Sequence, residues 1–386
     1  MDRRTLLRSA VVGTGAVAFG FTMTRTSLAY PAKSGPSPYG PLQAADANGI
    51  MLSAGFTSRV IARSGRTVPG TSYTWHGAPD GGACFADSAG DGWIYVSNAE
   101  LGSGTGGASA LRFSGGGEVT DAYRILSGTT RNCAGGATPW QTWLSCEETT
   151  RGHVYETDPT GAGDAVRRDA MGRFQHEAAA CDPDLHVVYL TEDEPDGAFY
   201  RFVPGSWGSL DAGVLQVLTE SDGTLSWADV PDPAASGGTQ TRDQVPGTKR
   251  FDGGEGCYYR DGTCFFTTKG DNRVWAYETG PGTLVLAYDD NLTDSPPLTG
   301  VDNITGAAAG DLYVAEDGGN MEICLITPDD IVAPFLRITG QSGSEICGPA
   351  FSPAGDRLYF SSQRGTSGSS SGGITYEVTG PFRSAA

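Results

Sequence analysis

The sequence predicts an all-β chain folded as a six-bladed β-propeller, and three observations carry that prediction. Six times a metal-ligand-type residue sits ten to fourteen positions ahead of a short β-rich run. The residues are Asp80, Cys133, Glu177, Glu255, Asn303 and Glu345, separated by steps of 53, 44, 78, 48 and 42 residues. A period of 40 to 50 residues with short strands is the mark of a propeller blade. The 57 glycines and 22 prolines suit many tight turns, and no long amphipathic helical pattern is visible.

Each repeat shows strand chemistry in its turn. The β-rich runs are Trp93-Ile94-Tyr95-Val96, Trp143-Leu144, Val188-Tyr189-Leu190, Phe265-Phe266, Tyr313-Val314 and Tyr359-Phe360. Cys257 to Phe266, with Asp261-Gly262 at its centre, and Phe351 to Phe360, with Pro353-Ala354-Gly355-Asp356, both read as hairpins. The last blade shows only three strands of its own. The stretch Arg59-Val60-Ile61-Ala62 is therefore expected to add the fourth, closing the ring without a raw edge.

Residues 1–29 read as an export signal. Twin arginines at Arg3-Arg4, a small and moderately apolar stretch from Ala10 to Thr22, and the small residues around Ser27-Leu28-Ala29 give the pattern of a Tat signal peptide. An ordinary Sec signal or a retained anchor is the alternative. The chain is expected to meet the Tat export machinery and to work in the periplasm or outside the cell. No other run approaches the ~20 apolar residues of a membrane span. Residues 30–48 read as an extended leader, and residues 49–386 as one propeller domain. An excursion at about 204–249 accounts for the long third step, and Thr366 to Gly373 reads as a hairpin tip.

Removing residues 1–29 takes away four arginines and one aspartate, leaving 22 basic and 44 acidic side chains and a net charge of −22. Nucleic acid and anionic membranes need clustered positive charge, so both are poor partners: the chain is expected to bind no nucleic acid and to have no membrane span. Cations are suited to such a chain. If the six recurrent residues open the innermost strands, they form a ring at one mouth of the central channel. A second acidic set follows the β-rich runs, at Glu100, Glu147-Glu148, Glu192-Asp193, Asp271 and Glu316-Asp317. Antiparallel pairing places the end of the second strand beside the start of the first, so the two sets share a rim.

Eight cysteines in an exported chain are candidates for disulfides, and Cys257 and Cys264 flank one hairpin turn. Cys133 differs in kind because it holds a ring position. A thiolate among oxygen donors favours a transition metal beside hard cations. His176 neighbours Glu177 on a strand, so it faces the opposite way and reads as a packing histidine. There is no Gly-x-Ser-x-Gly elbow, P-loop or dinucleotide fingerprint, which leaves serine-hydrolase and nucleotide-dependent mechanisms without support.

Several segments resemble the PhoX-type alkaline phosphatases. They include Arg131-Asn132-Cys133-Ala134-Gly135-Gly136, Trp140 to Glu148, Gly172 to Ala179, Phe199-Tyr200-Arg201-Phe202, Gly254-Glu255-Gly256, Val301-Asp302-Asn303-Ile304, Glu316-Asp317-Gly318 and Gly348 to Pro353. The resemblance runs from about Gly55 to Phe382. It implies a Tat-exported six-bladed propeller that hydrolyses phosphate monoesters of small phosphorylated substrates at a channel mouth holding Fe3+ and Ca2+. The family's iron ligands match Cys133, Glu177 and Glu255. Calcium falls to Glu100, Glu148, Asp302, Asn303, Glu316 and Glu345, with Asp80 of the ring as a further donor. The sequence departs from the pattern at Gly253, where the family carries a phosphate-binding arginine. Lys269, Arg173 and Arg364 are candidates to replace it, with Glu255 and Lys269 as catalytic residues. Two other readings stay open: another calcium-dependent propeller hydrolase, such as a lactonase or diesterase, and a non-catalytic propeller braced by metal.

Overall fold

Residues 31–292 and 294–384 are described by a computed structural model of the chain. Residues 1–29, expected as the signal peptide, lie outside them. The aromatic and β-branched runs form the second strands of six antiparallel sheets arranged as propeller blades. The innermost strands are Pro79–Ala86, Asn132–Ala137, His176–Asp182, Gly254–Arg260, Val301–Gly306 and Ile346–Phe351. Their neighbours are Trp93–Ala99, Trp143–Glu147, Val187–Glu192, Thr263–Thr268, Leu312–Glu316 and Arg357–Ser362. Turn chemistry fixes the hairpins. In blade four Arg260 pairs with Thr263 across Asp261 and Gly262, whose φ angles of 47° and 79° are those of a type I′ turn.

The ring closes as the sequence predicts. Thr57–Arg63 pairs antiparallel with Ile374–Thr379 as the fourth strand of blade six, with Val60 opposite Tyr376. Two short segments before the closing strand are clamped alongside. Lys33–Ser34 adds in parallel, and Ile50–Leu52 antiparallel, to the outer strand Ile331–Ile338 of blade five.

The segment from 204 to 249 is partly blade and partly cover. Gly197–Ser206 and Ser209–Ser221 are the third and fourth strands of blade three, and Thr224–Asp229 adds a fifth. The remainder packs on the end of the ring where the second strands finish, and there Arg242 pairs with the buried Glu192 at 3.0 Å and with Asp196 at 2.9 Å. The Ser/Gly tract near residue 370 is two short 3-10 turns rather than a hairpin tip, and the Ser370 carbonyl accepts from the Ala78 amide at 2.7 Å.

Packing follows the blades. The six hydrophobic clusters of buried residues each lie at one blade–blade seam. The seam between blades five and six also joins the segments around residues 56 and 382, because Phe56 and Phe382 stack edge-on at 5.0 Å and each contacts Phe335. Burying one such aromatic side chain contributes about 2–3 kcal/mol. Among the described residues no helix is long and apolar enough to cross a membrane. The eight cysteines are free thiols, so the expectation of disulfides is not met; Cys257 and Cys264 come closest, with sulfurs 3.4 Å apart.

Candidate metal centre

A β-bulge at the start of every innermost strand builds the site. The register shifts between Pro79 and Gly82, Asn132 and Gly135, His176 and Ala179, Gly254 and Cys257, Val301 and Ile304, and Cys347 and Ala350. Two residues therefore oppose one, and the first bulged residue is Asp80, Cys133, Glu177, Glu255, Asp302 or Gly348. A bulge re-aims a side chain out of the ladder, a use seen at functional sites.

This register corrects three sequence expectations. In blade five Asp302 holds the ring position; Asn303 stands one step on, with its Oδ1 accepting the Gly348 amide at 2.6 Å. In blade six the ring position is Gly348, and Glu345 reaches the site from the preceding loop. Glu316 belongs to neither set. Its two oxygens each accept a backbone N–H, from Thr299 and Glu322, both at 2.9 Å. Glu147 takes Thr130 and His153 amides in the same way, while Glu192 takes the Ala198 amide and the Tyr200 hydroxyl. The glutamate ending the second strand is thus a cap, and its successor is the one on the rim.

That successor forms a second ring, held by one recurring hydrogen bond. The amides of Glu100, Glu148, Asp193, Lys269, Asp317 and Gln363 donate to the carbonyls of Ala78, Arg131, Gln175, Gly253, Gly300 and Glu345, at 2.8 to 3.1 Å. In the sequence Asp193 and Asp317 stand out only as part of an acidic rim. Adjacent acids such as Glu192-Asp193 and Glu316-Asp317 do not show in sequence which caps and which faces the rim.

The two rings bring most of the candidate ligands together. One ligand atom each from Cys133, Glu148 and Glu177 lie within 4.8 Å of one another, as do Glu177, Glu255 and Asp302, and Asp302, Asp317 and Glu345. A further group joins Asp80 and Glu345 to Cys347, a thiol that the sequence pattern did not single out. Gln363 donates from its amide to both Asp80 and Glu100. Glu177, shared by two groups, is the most telling member. It is fully buried, and neither of its carboxylate oxygens has a hydrogen-bond donor among the described residues. A buried charge without a partner costs several kcal/mol, so this donor set fits a cation.

Titration of the groups reflects the same crowding. Burial, then the neighbouring Glu255, pushes the Glu177 carboxyl well above the ordinary carboxylate range. Burial and Asp302 do the same to Glu255, and burial with Glu100 to Asp80. Glu148 is raised to about 8 by burial and Glu100, and Asp302 to about 7 by burial. Burial and the charge of Asp80 lift the Cys133 thiol well above its usual value. A bound cation is what would make it a thiolate.

Side chains from the preceding blade fix the bulges. Asn98 donates to the carbonyls of Cys133 and Ala134 at 3.1 and 2.8 Å while its oxygen accepts from Trp143 and Ser145. Thr191 donates to the Glu255 carbonyl, and Thr267 to that of Asp302, each at 2.5 Å. These three clamps hold the ligand-bearing backbone across the seams.

The candidate cations separate clearly. Lys269 reaches Glu255 Oε1 at 2.7 Å and Asp317 at 3.4 Å. Arg364 pairs with Glu345 at 3.0 Å. Arg173 instead turns to the Arg151 carbonyl, and no ion pair joins it to either ring among the described residues. Its backbone carbonyl accepts from Thr241 in the covering segment. His176 is buried and stacked on Phe174 at 3.6 Å, with Nε2 3.1 Å from the Gly172 carbonyl, the packing role expected for it.

A family model described as alkaline phosphatase PhoX matches residues 81–154 and 150–279. Among solved structures, Pseudomonas fluorescens PhoX in complex with vanadate, a transition state analogue, superposes with a TM-score of 0.71 at 18% identity, covering 91% of this chain and 98% of that one. A Bacteroides thetaiotaomicron protein of unknown function gives a TM-score of 0.51 at 9% identity, with 84% and 76% covered. No functionally curated protein sequence matches the chain.

Proposed function

This chain belongs to the alkaline phosphatase PhoX family and is a propeller-type phosphatase; from that premise we propose that it is an exported enzyme hydrolysing phosphate monoesters at a mixed iron and calcium site in the channel mouth. The observation that carries the reading is Glu177, a buried carboxylate with two undonated oxygens, set between Cys133 and Glu255. Cys133, Glu177 and Glu255 would hold ferric iron, since a thiolate selects a transition metal. The oxygen donors Asp80, Glu100, Glu148, Asp302 and Glu345 suit calcium, and Asp193 and Asp317 join them on the second ring. Bound cations would neutralise phosphate oxygens and lower the pKa of a coordinated water.

The protein's own groups prepare that chemistry. The bulges aim the donors inward, and the clamps from Asn98, Thr191 and Thr267 keep them there when the substrate arrives. Gly253 has a left-handed φ of 70°, and a Cβ there would meet Asp193 Oδ1 at 3.2 Å and lie 3.9 Å from the Lys269 Cβ. Lys269, whose amide is bonded to the Gly253 carbonyl, would supply positive charge to the substrate phosphate in place of an arginine at 253. Arg364 offers a second such group from blade six. Lys binds as a point charge where Arg would form a fork, so recognition of the phosphate is less directional.

The test is hydrolysis of a chromogenic phosphate monoester by metal-replete protein, with and without calcium chelation. Turnover abolished by the chelator and restored by calcium is the expected result. A metal-replete protein without turnover would overturn the proposal.

A further inference from the structure

Lys269 is the one cation in the second ring, whose other members are Glu100, Glu148, Asp193, Asp317 and Gln363. Its ammonium joins Glu255, on the innermost strand of blade four, to Asp317 of blade five at 2.7 and 3.4 Å. Bridging carboxylates of adjacent blades is what a metal ion in this mouth would do, because hard cations gather oxygen donors from several elements. Glu255 is 2% exposed and the Lys269 side chain 36%, so the carboxylate end of the contact is buried while the lysine keeps one side open to solvent. The backbone fixes the lysine in this place: its amide donates to the Gly253 carbonyl at 2.8 Å.

We infer that Lys269 is a tethered cation that fills one metal subsite, between Glu255 and Asp317, so that this chain holds one divalent ion fewer than its carboxylates would otherwise gather. The inference rests on the metal-dependent reading of the mouth. An ammonium there cannot be removed by a chelator, and it presents N–H donors to the substrate where a metal would present an open coordination position.

Metal content decides the matter independently of turnover. Full-length protein and the Lys269→Met variant are saturated with calcium and iron, passed through gel filtration and analysed by elemental mass spectrometry, with Lys269→Arg as a charge-retaining control. The expected result is one additional calcium equivalent per chain in Lys269→Met and the parental count in Lys269→Arg. Equal, non-zero counts in parent and Lys269→Met overturn the tethered cation and leave the metal site standing. A parent that binds no metal overturns the metal-site reading and this inference with it. Melting curves guard against a folding defect: calcium should raise the midpoint of Lys269→Met by more than that of the parent, and an equal shift in both counts against the inference.

Discussion

Glu177 is where residue-scale physics meets function. A buried carboxyl without donors destabilises the metal-free fold, at a cost of about 1–3 kcal/mol for an unsatisfied polar group. Glu177→Leu is therefore expected to raise the melting temperature of metal-free protein while abolishing iron uptake, a pairing that calorimetry and metal analysis would reveal together. A lower melting temperature in chelator would mean that Glu177 has a hidden partner. Asn98 shows the opposite balance, because all of its amide's polar atoms are used. Asn98→Leu strands the Cys133 and Ala134 carbonyls and the Trp143 N–H, and should cost on the order of 2–4 kcal/mol in denaturant unfolding. If Cys133 ligates ferric iron, the same variant should shift the thiolate-to-iron absorption band, a signal that a purely structural role would leave in place.

At the scale of elements, the bulged innermost strand is the working unit and the closing strand is its guarantor. The seam between blades five and six brings the first and last blade-closing segments together, with Phe56, Phe335 and Phe382 in mutual contact. Phe56→Ala should destabilise the fold by about 3–5 kcal/mol, as large-to-small changes of buried aromatics do. Chemical denaturation would measure it, and a loss under 1 kcal/mol would show that the terminal seam does not hold the ring shut. Arg59 adds a paired charge across the same closure, its Nε 2.7 Å from Glu377.

At the scale of the whole molecule, the concentration of acidic groups at one mouth makes stability depend on pH and metal together. Burial raises Glu148 to about 8 and Asp302 to about 7, and Glu177 and Glu255 rise as well. A carboxyl with a raised folded pKa keeps a proton that the unfolded chain has released, so stability is lost as pH climbs through that window. Metal-free protein should thus melt lower at about pH 8.5 than at about pH 6.5, and calcium should remove the difference. A melting point that rises over this interval in chelator would contradict the crowding of the rings. Two buried histidines act in the opposite sense and offset part of this trend. His76 and His176, held neutral by burial with pKa values of about 3, contribute stability above about pH 6.5 that is lost as the unfolded chain takes up protons.

The recurrence of a polar residue before each β-rich run determined the propeller, the number of blades, the closing strand and four ring residues, Asp80, Cys133, Glu177 and Glu255. Those features are local or periodic, and hydrophobic alternation with turn chemistry writes them directly into the chain. Tertiary structure decided the rest. A bulge places two residues opposite one, so Asp302 rather than Asn303 enters the ring, and nothing in the alternation of side chains marks where that slip occurs. Which of two adjacent acids, Glu316 or Asp317, caps a turn and which faces the channel depends on the amides brought near by neighbouring strands. The meeting of Lys269 with Glu255 and Asp317 depends on two blades docking side by side, a contact between distant parts of the chain that local sequence does not encode.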